Sequence, residues 1–396
     1  MSAVVIPLSR PDLSEIEERE VLGVLRTSWL SQGPRVQEFE ARMAAFLGIR
    51  HAIAVSSGTA GLHLALRSAG IAAGSHVITT PFSFVATANV MLYEGAYPVF
   101  VDIDPLTLNL TPERVKAVMA RDYVMQEGRW RHRESGAVLS AVLPVSIFGH
   151  PVAMDGFRTL ADTNCLRLIL DACESLGSLY WSEHLGEWIS EAQLADAAVL
   201  AFYPNKQLTT GEGGMIVTND DDIDRYCRMG RNQGRGEKSS SLDAEMLGFN
   251  YRMDELSAAL GVGQMRRIQD LLTRRQQVAA WYEEALGAVE EIERPVAAPW
   301  AQVCWFVYVV RVRHGVNRDG VIASLGQRGI ESRAYFPAIH LQPHFAALGY
   351  RPGMFPVTED FAHRAIALPF FTQMTKAQVS EVVGAVRSAV SAHVAV

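Results

Sequence analysis

Residues 197–220 read AAVLAFYPNKQLTTGEGGMIVTND. An apolar run, 197–202, is followed by Tyr203-Pro204-Asn205, then Lys206, then a glycine-rich turn, then a second apolar run at 215–220. Neither run alternates apolar with polar residues, so both predict strands covered on two faces rather than one. Upstream the same kind of strand recurs at 51–55 (HAIAV), 76–80 (HVITT), 97–104 (YPVFVDID), 141–145 (AVLPV) and 167–171 (RLILD). Helical patterns lie between them, at 60–70 and 84–93 for example, each closed by a turn residue. Strand and helix in alternation predict an α/β fold whose mostly parallel sheet carries helices on both faces.

Beyond Asp254 the pattern changes. Residues 254–286 predict one long helix with Gly287 as its stop. A proline-containing link leads to a strand at 304–313, a helix at 317–327 and a terminal helix with Val379, Val382, Val383, Val386 and Val390 at 3/4 spacing. Two domains are expected: a large α/β domain over 1–265, opening with helical patterns at 13–26 and 36–46, and a smaller α+β domain over 266–396. The 396 residues are 49% hydrophobic and 20% charged, which rules out global disorder. A formal net charge of −7 disfavours nucleic acid or an anionic membrane as the main partner. The four cysteines are scattered without a CxxC pair, so neither a zinc site nor a disulfide framework is indicated. The opening residues turn acidic too soon for a secretory signal, and the longest apolar stretch, near 137–148, is broken by Ser140, Pro144 and Ser146. A cytoplasmic location is expected.

Of the 36 basic residues only four are lysines: Lys116, Lys206, Lys238 and Lys376. Arginine cannot act as an amine nucleophile, so lysine chemistry has four places to reside. Lys116 lies among charged helix residues, Lys238 in a polar loop and Lys376 at a helix start, all readings of solvated side chains. Lys206 follows a buried strand and precedes a glycine-rich turn, and in open α/β sheets ligands sit at the carboxyl ends of strands. Asp171 ends another buried strand, where a carboxylate needs a helix cap or a cationic partner. Ser56-Ser57-Gly58-Thr59 joins a strand to a helix and offers backbone N–H groups to a phosphate, although a bare N-cap explains the same residues. Together a phosphate cradle, a strand-end lysine and a strand-end aspartate form the constellation of a pyridoxal phosphate enzyme.

The blocks SWLSQGPRVQEFE, VSSGTAGLHLAL, PFSFVATANV, LDACESLGS, FYPNKQLTTGEGGMIVTND, GFNYRMDELSAALG and YFPAIHLQP run in this order over nearly the whole chain. In this the sequence resembles the DegT/DnrJ/StrS family of sugar aminotransferases, which have the fold-type-I pyridoxal phosphate architecture. The resemblance implies that Lys206 is the Schiff-base lysine and that Asp171 pairs with the pyridine nitrogen. It implies that Phe84 stacks on the cofactor ring, that Gly58, Thr59 and Ala60 hold the phosphate, and that Glu174 lies beside the cofactor. It places Asn250 at the phosphate of a neighbouring subunit, hence a homodimer, and Trp29, Tyr335 and His340 near the substrate. The implied reaction moves an amino group from an amino acid, L-glutamate foremost, to a keto-deoxysugar on a nucleotide.

Three positions depart from the family pattern. Ala201 stands where many relatives carry a phosphate-binding serine, and Ser146 and Gln233 each replace a frequent histidine. Three other readings follow from the same residues. A keto-cyclitol as acceptor leaves the motifs unchanged. A sugar dehydratase on this scaffold is disfavoured, since in the resemblance such enzymes carry histidine in place of the lysine. A non-catalytic regulator would leave Lys206 and Asp171 without a task.

Overall fold

The computed structural model describes residues 6–236 and 243–394; Lys238 lies outside the described residues. Seven strands form the body of the central sheet: β1 His51–Val55, β2 Ser75–Thr79, β3 Tyr97–Phe100, β4 Val138–Val142, β5 Arg167–Asp171, β6 Ala197–Ala201 and β7 Gly214–Thr218. Their order is β1-β7-β6-β5-β4-β2-β3. The pairs from β6 across to β3 are parallel, whereas β7 runs antiparallel to both β1 and β6. Two reversals leave β1 pointing the same way as β6, so β1, β2, β5 and β6 all end at one edge of the sheet.

The covering of both faces is visible residue by residue. Ala52 and Ala54 of β1, Leu168 and Leu170 of β5, and Met215 and Val217 of β7 face one core. Their neighbours Ile53, Val55, Ile169 and Ile216 face another. The period-2 side-chain geometry sends alternate residues to opposite faces, and both faces are apolar, so no alternation shows in the sequence. Helix Gly58–Ser68 covers the second face with Leu62, Leu64 and Leu66. The first face is covered by Phe39 and Met43 of helix Pro34–Leu47 and by Phe157 and Leu160 of helix Met154–Asn164.

The C-terminal part holds a three-stranded antiparallel sheet, Ile292–Glu293, Tyr308–Val312 and Ala365–Leu368, packed under helix Lys376–Ala392. All five valines at 3/4 spacing in that helix are buried. Ile6 joins this core and bridges to Ile330. Helix Ile268–Leu286 serves two cores: Ile268 and Leu272 pack on the large sheet, while Val278, Tyr282 and Leu286 pack in the C-terminal cluster.

Five elements differ from their sequence expectation. The strand expected at 141–145 lies at Val138–Val142, short of Pro144, which has no N–H for a ladder. The helix expected at 84–93 begins at Ala86, after a bend at 81–83 in which Thr80 Oγ1 accepts the Phe82 N–H (3.0 Å). The strand expected at 97–104 stops at Phe100, and Asp104 Oδ1 collects the N–H groups of Leu106 and Thr107 into a turn. The strand expected at 304–313 starts only at Tyr308, since Trp305 takes a left-handed φ of 50°. The helix expected at 254–286 is two helices, Glu255–Arg266 and Ile268–Leu286, broken at Arg267, whose guanidinium pairs with Asp12 and Glu17.

Candidate active site

A cavity of about 380 Å³ opens where β1, β5 and β6 end. Its first wall is the start of helix Gly58–Ser68. Ser57 caps this helix, and its Oγ accepts the Ala60 N–H at 3.1 Å. Gly58 and Thr59 line the cavity; as the first two helical residues their N–H groups have no acceptor within the helix. Ala60 is buried, and its N–H is engaged by Ser57 rather than turned to the cavity. Glycine is needed here for close approach. A Cβ on Gly58 would stand 2.8 Å from Ala201 Cβ, and one on Gly214 would stand 2.5 Å from the Ser57 carbonyl. The glycine run after Lys206 thus lets β7 press against the turn that presents the helix N-terminus.

Asp171 forms the floor. It is 5% exposed. Its Oδ2 accepts from Thr87 Oγ1 (2.6 Å) and its Oδ1 from the Cys173 N–H (3.1 Å). Thr87 in turn shares a hydrogen bond with Ser83 Oγ at 2.7 Å. The carboxylate is therefore fixed in orientation from one side while it lines the cavity on the other. Thr87 has a sequence signal, two hydroxyls at i and i+4 in the PFSFVATANV block, but only the fold reveals which acid they serve.

Lys206 enters from the opposite wall. Its main-chain N–H donates to the Tyr203 carbonyl, closing the turn after β6. Its Nζ lies 3.4 Å from Glu174 Oε1 and 3.9 Å from the centre of the Phe306 ring. Glu174 is buried, and its Oε2 accepts the Phe148 N–H at 2.9 Å. Burial raises the Glu174 carboxyl above its ordinary range, against the opposing pull of Lys206. Phe306 comes from a segment a hundred residues away and carries no local signal in the sequence.

Aromatic rings flank the opening. Phe84 is 60% exposed, with its ring centre 6.3 Å from that of Phe336. Tyr335 and Phe336 stack at 4.1 Å, and all three line the cavity. An aromatic left this open at the edge of a cavity offers a flat apolar face to whatever enters it.

Four residues singled out from the sequence are not brought to this cavity: Ala60, already described, and Trp29, Asn250 and His340. Trp29 is 59% exposed, its indole N–H donating to the Ser31 carbonyl. Asn250 is an exposed residue bridged to Asn232. The expectation that His340 lies at the substrate pocket needs correction for a site within one chain. Its ring is fully buried, hydrogen-bonded to Glu359 at 3.0 Å and packed on the edge of Phe355. Of the three departures, Ala201 lines the cavity, Gln233 accepts from Arg235 and Arg252 on the surface, and Ser146 is buried behind the site.

Ser146 leads to a second buried acid. Glu191 Oε2 accepts from Ser146 Oγ (2.7 Å) and the Val152 N–H (2.6 Å), and its Oε1 accepts from Ser175 Oγ (2.5 Å). Burial outweighs these donors, the nearby Asp171 charge adds to it, and the carboxyl is pushed up from 4.5 to about 7. The folded chain therefore holds this proton more tightly than the unfolded chain. The stability contributed is full below pH 4.5 and is lost as pH rises through 7. Glu191→Gln preserves both hydroxyl contacts, since its amide can donate to Ser175 Oγ. Urea unfolding between pH 5 and 8 should show the parent losing on the order of 3 kcal/mol from this group, a slope absent from the variant. Equal slopes in the two proteins would refute the assignment.

The cavity joins a helix N-terminus, a carboxylate and an amine at the carboxyl edge of a mixed sheet, the layout of a fold-type-I pyridoxal phosphate transferase. The sequence pattern of the DegT/DnrJ/EryC1/StrS aminotransferase family matches residues 11–387, and the chain belongs to that family. It is 34% identical to GDP-perosamine synthase of Caulobacter vibrioides, over 96% of this chain and 97% of that protein. It is 33% identical to the spore coat polysaccharide biosynthesis protein SpsC of Bacillus subtilis, over 97% of both. The crystal structure of S. venezuelae DesV in complex with a ketimine intermediate superposes with a TM-score of 0.85 at 30% identity, covering 97% of this chain and 98% of that one. The protein is thus a pyridoxal phosphate-dependent aminotransferase. The residues present fit the cofactor: first-turn N–H groups for a phosphate, an acid for a pyridinium, an amine for an aldehyde and an exposed ring beside them.

Proposed function

We propose that this enzyme transfers an amino group from an amino-acid donor, L-glutamate foremost, to a ketone at C3 or C4 of a deoxysugar carried on a nucleotide. The observation carrying the reading is the convergence of Lys206 and Asp171 on one cavity closed by the Gly58–Ser68 helix start. The similarity to GDP-perosamine synthase supports a nucleotide-linked acceptor. When bound, pyridoxal phosphate supplies the electron sink and the temporary carrier of the amino group. Gly58 and Thr59 would donate their N–H groups to its phosphate. Asp171, steadied by Thr87, would hold the proton on the pyridine nitrogen. Phe84 would cover the ring, and Glu174 would stand at the ring edge beside Lys206. The Lys206 amine, beside Glu174, would serve as the base that takes the proton from the donor α-carbon and as the acid that gives it back. Tyr335 would border the acceptor.

The exposed positions of Asn250 and Trp29 fit residues that serve a neighbouring copy. We therefore place the working enzyme as a homodimer in which Asn250 reaches the partner's phosphate. We also place it in the cytoplasm, and no described helix is long and apolar enough to cross a membrane. The test is to follow the visible cofactor spectrum on adding L-glutamate, then to add nucleoside-diphosphate keto-deoxysugars with the ketone at C3 or C4. The expected result is loss of the yellow band with glutamate, its return with one such sugar, and a product in which C=O has become CH–NH2. Return of the band with a keto-cyclitol and with none of the nucleotide sugars would overturn the acceptor class.

A further inference from the structure

We propose that Arg275 is a positioning residue for the reacting amine, tying the main chain of Lys206 to that of Phe306 and so holding Lys206 Nζ over the Phe306 ring. The inference rests on Lys206 being the reacting group. Arg275 lies in helix Ile268–Leu286 and is 4% exposed. Its Nη1 donates to the carbonyls of Phe306 (3.1 Å) and Trp305 (3.4 Å). Its Nη2 donates to the carbonyls of Lys206 (3.0 Å) and Asn205 (3.5 Å). One planar fork therefore grips two segments far apart in sequence, the turn after β6 and the stretch before strand Tyr308–Val312. These are the segments whose side chains meet in the cavity, Nζ 3.9 Å from the Phe306 ring centre.

The same pair of segments is fastened a second time. Gln207 Nε2 donates to the Glu174 carbonyl and to Cys304 Sγ. Arg275 differs from a packing residue in what it lacks. Among the described residues no carboxylate forms an ion pair with it, and its buried Nε has no hydrogen-bond partner. Burial pulls the guanidinium down to about 10. A buried cation with no direct ion pair, held only by the longer-range attraction of Asp12 and by the Phe370 ring 5.6 Å away, is costly, and a methionine would fill the same space without that cost. Only a guanidinium presents enough in-plane donors to serve both segments at once. Costly groups kept in a fold concentrate where geometry serves function.

The experiment reads the position of Lys206 in the cofactor-free chain. The parent, Arg275→Met and Arg275→Lys are labelled with a limiting amount of acetic anhydride at one pH, and peptides are quantified by mass spectrometry. Lys116, exposed on helix Pro112–Asp122, is the internal reference. With the fork gone, the amine leaves Glu174 and Phe306, and the Lys206/Lys116 labelling ratio should rise by about threefold or more in Arg275→Met. In the loaded enzyme kcat should fall on the order of 100-fold, the scale of an ångström of misplacement, with donor KM nearly unchanged. Arg275→Lys, which keeps the charge but not the fork, should recover part of both. A ratio unchanged or lowered in Arg275→Met, whatever happens to kcat, would overturn the proposal and leave Arg275 a stability residue. If Arg275→Met does not fold, Arg275→Lys decides on the same ratio. Failure of the lysine assignment itself would appear elsewhere, as activity in a Lys206→Ala variant.

Discussion

Replacing Lys206 with alanine is expected to lower turnover by at least about 10³-fold, the scale of a lost general acid–base group, while leaving the chain folded. Among the described residues the amine is the one lysine at the cavity. Lys116 is exposed on a distant helix, and Lys376 is paired with Glu284 at 2.9 Å. No other described amine can replace it in forming a Schiff base or in carrying the proton. The fold should survive because Lys206 makes one ion pair, at 3.4 Å, and its main-chain hydrogen bonds do not depend on the side chain. Lys206→Arg separates charge from chemistry. It keeps a cation opposite Glu174 yet cannot form the Schiff base, so it should be as inactive as the alanine variant. The measurements are single-turnover amination and the visible spectrum with L-glutamate. Turnover within tenfold of the parent in either variant would remove Lys206 from the reaction.

Why this lysine is legible in the sequence and its supports are not has a physical cause. Lysine is scarce in this chain, and strand, turn and glycine run are local patterns, so Lys206 and Asp171 stand out before any fold is known. The helix N-terminus at Gly58 is local too. Ala60 is a finer matter, because the Ser57 cap competes for its N–H, and that competition depends on a side-chain rotamer. Long-range partners are a different case. Arg275 is one of 32 arginines, and its hydrogen-bond partners lie up to 70 residues away. Phe306 sits in a stretch that reads as continuous strand until Trp305 takes its left-handed turn. Glu191, in the 3₁₀ turn Glu191–Leu194, carries no sequence signal of burial, and it is enclosed where Ser146, Ser175 and Val152 converge on it. The boundary between the cores is hidden for the same reason: Ile268–Leu286 is one helix in pattern but packs in two places.

Asp171 carries the second large effect, and the argument turns on charge at constant shape. Asp171→Asn keeps an acceptor for the Cys173 N–H, and its amide can donate to Thr87 Oγ1, which is free to rotate and accept. The side chain should thus stay where it is, and what is lost is the negative charge facing the cavity. Without that charge a pyridine nitrogen loses the partner that keeps its proton, and electron withdrawal from the donor α-carbon weakens. Removing one preorganised electrostatic group from a buried site costs about 10²–10³ in kcat, and this range is expected here with donor KM changed much less. The cofactor-free chain should be no less stable than the parent, since a buried carboxylate has been made neutral and its hydrogen bonds kept. The two readouts move apart, kcat down and thermal midpoint unchanged or up, whereas a merely structural aspartate would lower the midpoint together with the rate. A kcat within tenfold of the parent would mean that the floor of the cavity holds something other than a pyridinium. Thr87→Val offers an internal check, because it keeps the charge and removes the 2.6 Å hydrogen bond that aims it. Its kcat should lie between those of the parent and Asp171→Asn, as expected if orientation and charge act through the same atom.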